Sequence, residues 1–236
     1  MNINTVEPRW KVWEGIIVII GILGIMFGFG YFGEFLANAF GLNNIFIIFA
    51  GTVFQNFLLV SVPAFIAIKG YGHYWSDLGF IRGGFLRAFP IGIKWGLFLF
   101  FLVMFLGMII TMIYPVEPDL QEFAKIILMV DSFEELVLMV LMGVVLAPIG
   151  EEAFFRGFLY PALRARWGMR GGIVLSALFF SIMHFDIYRL LPIAAGGAGL
   201  AYLYERTGNI WTNIIAHAVW NGVMIALIIG AYRSMI

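Results

Sequence analysis

An all-α, polytopic integral membrane bundle of about seven transmembrane helices (six to eight), enclosing a buried polar cavity, is the fold this sequence predicts. Three observations predict it. Hydrophobic residues make up 62% of the 236 and charged residues only 12%, against near half and a quarter in soluble domains. The apolar residues fall in runs of about 20, the length a helix needs to cross a bilayer core. The few charges gather between those runs, basic and acidic groups alternating along the chain.

In order, the runs are about 14–39, 44–68, 88–114, 135–161, 171–186, 189–205 and 210–232. The first follows Arg9 and Lys11 and ends near Ala37-Asn38-Ala39. That outline is leader-like, but at this length it reads as a retained span. Gly24-x-x-x-Gly28 in the first run, and Gly196, Gly197 and Gly199 in the sixth, read as sites of close helix packing. Residues 120–131 read as a short interfacial helix ahead of the fourth span. The fifth and sixth spans are short and share a tight junction at Asp186 to Arg189. No stretch reads as a soluble domain, a linker or a repeat, so 1–236 is expected to be a single transmembrane domain.

Loop charges give an expected orientation. Arg9, Lys11, Lys69, Arg82, Arg87, Arg164, Arg166, Arg170 and Arg206 fall on one side. Glu117, Asp119, Glu122, Asp131, Glu134 and Glu135 fall on the other, where Arg189 and Arg233 run against the trend. The positive-inside rule then places the N-terminus in the cytoplasm. A formal net charge of zero gives no sign of nucleic-acid binding, and with no cysteine there is no disulfide, thiolate catalysis or Cys-ligated metal.

Few ionisable residues remain at membrane depth: Glu151, Glu152, Arg156, His184 and His217, with Lys94 nearer an end. Such groups are costly in lipid and tend to be paired, cavity-facing and functional. Glu152 and Arg156 have the i, i+4 spacing of an intrahelical ion pair. Glu151, ~100° around the helix, has Phe155 at its own i+4 and is free to face another helix. Pro148 ahead of it predicts a kink with room for water. His217 and Asn221, also i and i+4, point toward a shared target. Glu151, His184 and His217 lie ~16, ~20 and ~11 Å from the cytoplasmic ends of their spans. One carboxylate, two imidazoles and an amide can therefore converge on one cavity. Ser181, three residues before His184, has no separate base. A glutamate beside a histidine can deprotonate water, and a histidine with an amide can hold an oxyanion. The combination reads as amide hydrolysis by activated water.

Two other chemistries stay open at this point. Glu151, His184 and His217 plus water make a legitimate catalytic zinc set, although no His-Glu-x-x-His is present and Asn221 then has no role. Carboxylate–histidine chains also serve proton relays, and the polar groups could belong to a non-catalytic scaffold. The paired broken-helix repeats of transporters are not found.

Glu-Glu-Ala-Phe-Phe-Arg-Gly (151–157), Phe-Ser-Ile-Met-His (180–184) and His-Ala-Val-Trp-Asn (217–221) resemble the three motifs of the CPBP family. These are intramembrane proteases that include type II CAAX prenyl endopeptidases and bacteriocin-immunity proteins. Three flanks strengthen the likeness: Ala147-Pro148, Trp75-Ser76-Asp77-Leu78-Gly79, and the stretch from Tyr204 to Trp211. The match covers about 135–225 as a catalytic core; the first 130 residues are similar only in character. The resemblance implies that Glu151 activates water with help from His184, and that His217 and Asn221 bind the oxyanion. It implies structural roles for Glu152 and Arg156, with Phe180 opening the second motif beside them. It further implies a membrane-embedded or lipid-modified peptide or protein substrate, no cofactor and no metal. The compact gap between the second and third motifs is similar to prokaryotic members, which implies a prokaryotic cell membrane.

Overall fold

The computed structural model describes residues 7–115, 120–130 and 132–233, and these form helices and turns. Glu117, Asp119 and Asp131 of the acidic loop lie outside them, as does the side chain of Arg233. Helix α1 (Val12–Phe40) pairs with α2 (Asn44–Phe65), which a π-helical turn, Ile66–Gly70, extends. Asn43 starts α2 by accepting the Ile45 N–H at 2.7 Å, a standard N-cap. A 3-10 turn (Trp75–Leu78) leads to α3 (Gly84–Ile113). The expected interfacial helix is α4 (Glu122–Leu128).

A continuous 50-residue stretch, Phe133–Ile182, follows. It contains α5 (Phe133–Leu141), α6 (Ala147–Glu152) and α7 (Tyr160–Ile182). Two π-helical stretches, Met142–Leu146 and Ala153–Leu159, join them. The chain ends its described part with α8 (Leu190–Thr207) and α9 (Ile210–Arg233).

Among the described residues, five stretches are long and apolar enough to cross a membrane: Val12–Phe40, Asn44–Gly70, Gly84–Ile113, Phe133–Ile182 and Ile210–Ala231. The fourth is two spans in one. Gly168, inside α7, has φ 70° and ψ 178°, a left-handed conformation that suits a residue without Cβ. The runs expected at 135–161 and 171–186 are thus joined by a turn at one glycine rather than by a loop. Helix continues past 161 to that turn, so Glu151 lies ~25 Å from it instead of ~16 Å. Helix α8 falls short of the same hydropathy because it carries several glycines and ends on Glu205 and Arg206. Large apolar side chains such as Phe27, Phe35, Phe101 and Met112 are exposed, as a bundle solvated by lipid requires.

Pro148, where the sequence predicts a kink, follows the Met142–Leu146 π stretch within continuous helix. One sequence expectation needs correction. Gly24 and Gly28 are not packing sites among the described residues, none of which lies within 4 Å of a Cβ placed on either. The α8 glycines do pack closely. A Cβ on Gly196 would strike the Trp220 ring, and one on Gly199 the Leu99 side chain.

Each end of the bundle is tied across helices. At the basic end, the Trp10 indole N–H donates to the Phe158 carbonyl at 2.8 Å. Arg164 donates twice to Glu205, at 2.7 and 3.0 Å, and the Ile210 N–H meets the Gly79 carbonyl at 2.9 Å. At the acidic end, Asn43 donates to Glu135 at 2.6 Å, Gln121 to Asp186 at 3.4 Å, and the Tyr188 hydroxyl to Thr111 at 2.9 Å.

Candidate active site

Glu151 and Glu152 close α6, with π-helical backbone before and after them. Such interruptions of the α-helical ladder recur at functional sites. Glu152 points into the protein and is fully buried. Its Oε1 accepts Arg156 Nη1 at 2.8 Å and faces His217 Nδ1 at 2.9 Å; its Oε2 accepts Asn213 Nδ2 at 3.3 Å. Arg156, also fully buried, donates its other terminal nitrogen to the Gly197 carbonyl of α8 at 3.0 Å. The i, i+4 pair read from the sequence is therefore one edge of a larger buried network.

His217 stands between the two glutamates. Its Nδ1 faces Glu152, while its Nε2 lies 3.9 Å from Glu151 Oε2. An ionised Glu152 can only accept, so Nδ1 carries a proton and Nε2 is the nitrogen turned to the cavity. Glu151 is one-quarter exposed, yet its Oε2 is buried with no hydrogen-bond partner among the described residues. Glu151 lines a cavity of about 600 Å³, whose wall also holds Phe180, His184, His217 and Asn221.

His184 lies just beyond α7, where the chain turns and Phe185 takes φ 51°. Its Nδ1 is 2.8 Å from the Phe180 carbonyl. A carbonyl only accepts, so Nδ1 is the protonated nitrogen and Nε2 of the neutral ring keeps a free lone pair. The fully buried Phe180 ring packs among the charged groups. It lies 4.8 Å from the His184 ring, 5.7 Å from the His217 ring, and 4.5 Å from the Arg156 guanidinium carbon. Asn221 donates one amide hydrogen to the Gly143 carbonyl at 2.9 Å, which leaves the second free for a ligand. Ser181 donates to the Leu190 carbonyl at 2.5 Å, a structural tie across the α7–α8 turn.

All four residues expected to carry chemistry thus line one cavity, and the three expected to support them are buried beside it. The zinc reading fares differently. Among the described residues no three His, Asp or Glu side chains form a group able to hold a metal ion; Glu151, His184 and His217 share a wall without forming one. Sequence reasoning missed Asn213, which bridges Glu152 and the Leu200 carbonyl (2.7 Å). A signal was present: Asn213, His217 and Asn221 repeat at four-residue steps on one face of α9. It also missed Asn56 of α2, whose buried amide packs directly on Gly150. Two flanks of the motifs interlock, Gly79 packing on the Tyr204 ring, and the first motif joins them where Gly157 packs on the Leu78 carbonyl.

Residues 133–223 match the family described as Type II CAAX prenyl endopeptidase Rce1-like. A Bacillus subtilis protein named "Putative membrane peptidase YdiL" is 26% identical over 219 residues, which cover 89% of this chain and 83% of that protein. An uncharacterized protein of Mycoplasma capricolum subsp. capricolum is 29% identical over 101 residues, covering 41% of this chain and 29% of its own. No solved structure matches the chain. Over residues 133–223 the chain is thus similar to the type II CAAX prenyl endopeptidase Rce1-like family, and over most of its length to a protein named as a membrane peptidase.

Proposed function

We propose that the chain is an intramembrane endopeptidase of glutamic type, hydrolysing a peptide bond of a membrane-embedded or lipid-modified peptide or protein with water activated by Glu151. One observation carries this reading: Glu151, whose Oε2 makes no hydrogen bond among the described residues, lines the same cavity as His184, His217 and Asn221. A water between Glu151 and the Nε2 of His184 loses its proton to the carboxylate as its oxygen bonds to the substrate carbonyl carbon. The carbonyl electron pair moves to oxygen. The resulting oxyanion accepts from the free amide hydrogen of Asn221 and from His217 Nε2–H. Donating there while Nδ1 donates to Glu152 requires a proton on both nitrogens of His217. As the tetrahedral centre collapses, the C–N bond breaks and the proton held by Glu151 passes to the leaving amine.

The cavity is largely apolar beyond these groups and falls within the ~300–1,000 Å³ typical of ligand sites. A substrate must present its carbonyl free of helical hydrogen bonds, so the cleaved segment enters extended or locally unwound. The bundle is read as lying in a prokaryotic cell membrane with its basic end, and the N-terminus, in the cytoplasm.

The test is a comparison of membrane-protein fragments between cells carrying the natural chain and cells carrying Glu151→Gln or His184→Ala. Fragments generated by the natural chain are expected to fall by about 10²–10⁴-fold in rate, the usual contribution of a positioned general base. Undiminished cleavage by a folded Glu151→Gln protein would falsify the mechanism. Persistence of hydrolysis by purified protein through chelation separates it from zinc chemistry.

A further inference from the structure

A second concavity, of about 610 Å³, lies around α2 from the reaction cavity. One wall is a single face of α2 and its π-helical extension, within residues 53–68; the other is Leu146 and Ile149, just ahead of Glu151. At ~1.5 Å per residue the groove runs ~22 Å along the helix, more than half of a ~30 Å hydrocarbon core. Phe57 and Phe65 in its wall are exposed, so it opens sideways into lipid. Its lining is almost wholly apolar, and an apolar chain that fills it gains the dispersion contacts that a gap would forfeit.

One end of the groove is different: it finishes on Lys69 and Trp75. Lys69 is the only Lys, Arg, Asp or Glu between Glu34 and Asp77. Among the described residues, neither its ammonium nor the Trp75 indole N–H has a hydrogen bond or an ion pair. Asp77, the next acid along the chain, is engaged by His73 Nδ1 at 3.0 Å and the Tyr74 N–H at 2.9 Å. A lysine and a tryptophan beside a helix end mark the level of lipid headgroups. A phospholipid brings both parts at once, a chain for the groove and a phosphate for the two donors. Arg82, Arg87, Arg166, Arg170 and Arg206 at the same end are exposed and make no ion pair among the described residues. Their field favours a headgroup of net negative charge.

We infer that α2 and the start of the motif helix bind an anionic phospholipid, one acyl chain in the groove and the phosphate on Lys69 and Trp75. The site backs onto the candidate active site. Asn56 lines the groove, donates to the Thr52 carbonyl at 2.9 Å and packs on Gly150, the neighbour of Glu151. A seated lipid therefore braces the α2–α6 contact from outside. Binding needs no hydrolysis, so this site and the assignment of Glu151 fail separately.

The chain has no cysteine, so Phe57→Cys on the groove edge carries a single bimane label, and Phe101→Cys, a comparably exposed site on α3, carries the control. Each full-length protein is placed in phosphatidylcholine vesicles holding a minor share of phosphatidylglycerol, with bromine on the acyl chains of one lipid or the other. Brominated phosphatidylglycerol is expected to quench the Phe57→Cys label with about fivefold preference, the worth of one basic side chain at an anionic headgroup. The Phe101→Cys label is expected to show no preference. Lys69→Gln is expected to abolish the preference and Arg170→Gln to leave it. Val53→Cys, also in the groove wall, repeats the measurement if Phe57→Cys does not fold. Three results overturn the site in favour of the general field of the basic end: equal quenching by both lipids, a preference that survives Lys69→Gln or falls equally with Arg170→Gln, or the same preference at Phe101→Cys. A Phe57→Cys label shielded from both brominated lipids overturns it in favour of a protein occupant, such as a second copy of the chain.

Discussion

Arg156 governs the buried charge of the site. Two ionised groups in a fully buried pair carry a desolvation cost that their mutual attraction offsets only with good geometry and further hydrogen bonds. Here Arg156 binds Glu152 at 2.8 Å and the Gly197 carbonyl at 3.0 Å, while Glu152 also meets His217 and Asn213. Arg156→Met is expected to cost about 3–5 kcal/mol, because it strands an uncompensated carboxylate. Glu152→Gln added to Arg156→Met is expected to recover part of that loss, a coupling measurable as non-additive thermal shifts in detergent. Additive losses would show that the pair does not act as a unit. The pair itself was legible, since i, i+4 spacing is a local signal. Its partners on α8 and α9 lie 41 to 65 residues away in sequence, and no local pattern encodes them. Adjacent Glu151 and Glu152 do point differently, as helical geometry requires, yet both reach the same imidazole from its two nitrogens.

At the scale of elements, α6 sets the position of Glu151, and one glycine sets the position of α6. A Cβ on Gly150 would collide with the Asn56 amide oxygen and approach the Asn56 Cα to 3.3 Å. The amide can rotate away, but the α2 backbone cannot yield without the two helices separating. Gly150→Ala is therefore expected to lose about 1–3 kcal/mol, the usual range for overpacking, and to lower cleavage by moving Glu151. Gly24→Ala, with nothing within 4 Å, is expected to stay within about 0.5 kcal/mol. Thermal unfolding of both variants, alongside the fragment assay, checks the contrast; equal effects would remove the close approach as the cause. The apolar runs and the charges between them made the helices legible. The π stretches were not, because their hydrogen-bond shift answers to tertiary packing rather than to composition. The proline that predicted a kink instead follows such a stretch. The Gly168 turn had only a glycine among arginines to announce it.

For the whole molecule, the question is what the part outside residues 133–223 does for the part inside. Sequence gave that first part no chemistry, yet it holds the motif helix in place. Trp10, 1% exposed, stacks on Phe158 with ring centroids 5.0 Å apart and meets the His73 ring edge-on at 5.0 Å. Its N–H satisfies the Phe158 carbonyl at 2.8 Å, inside the π stretch that follows Glu152. His73 is held by Asp77 at 3.0 Å, and the same loop brings the Leu78 carbonyl against Gly157. The amino-terminal segment, the loop after α2 and the motif helix are thus one packed unit at the basic end, just beneath the buried Glu152–Arg156 pair. Trp10→Phe keeps a stacking ring but removes the donor, leaving a buried carbonyl unpaired at a cost of about 1–3 kcal/mol. Trp10→Ala adds the loss of the ring and is expected to cost about 3–5 kcal/mol. If the segment positions the site as well as stabilising it, Trp10→Phe lowers cleavage at a temperature where the protein remains folded. A Trp10→Phe protein with full cleavage and an unchanged unfolding temperature would separate the amino-terminal segment from the site and confine its role to anchoring the chain in the membrane.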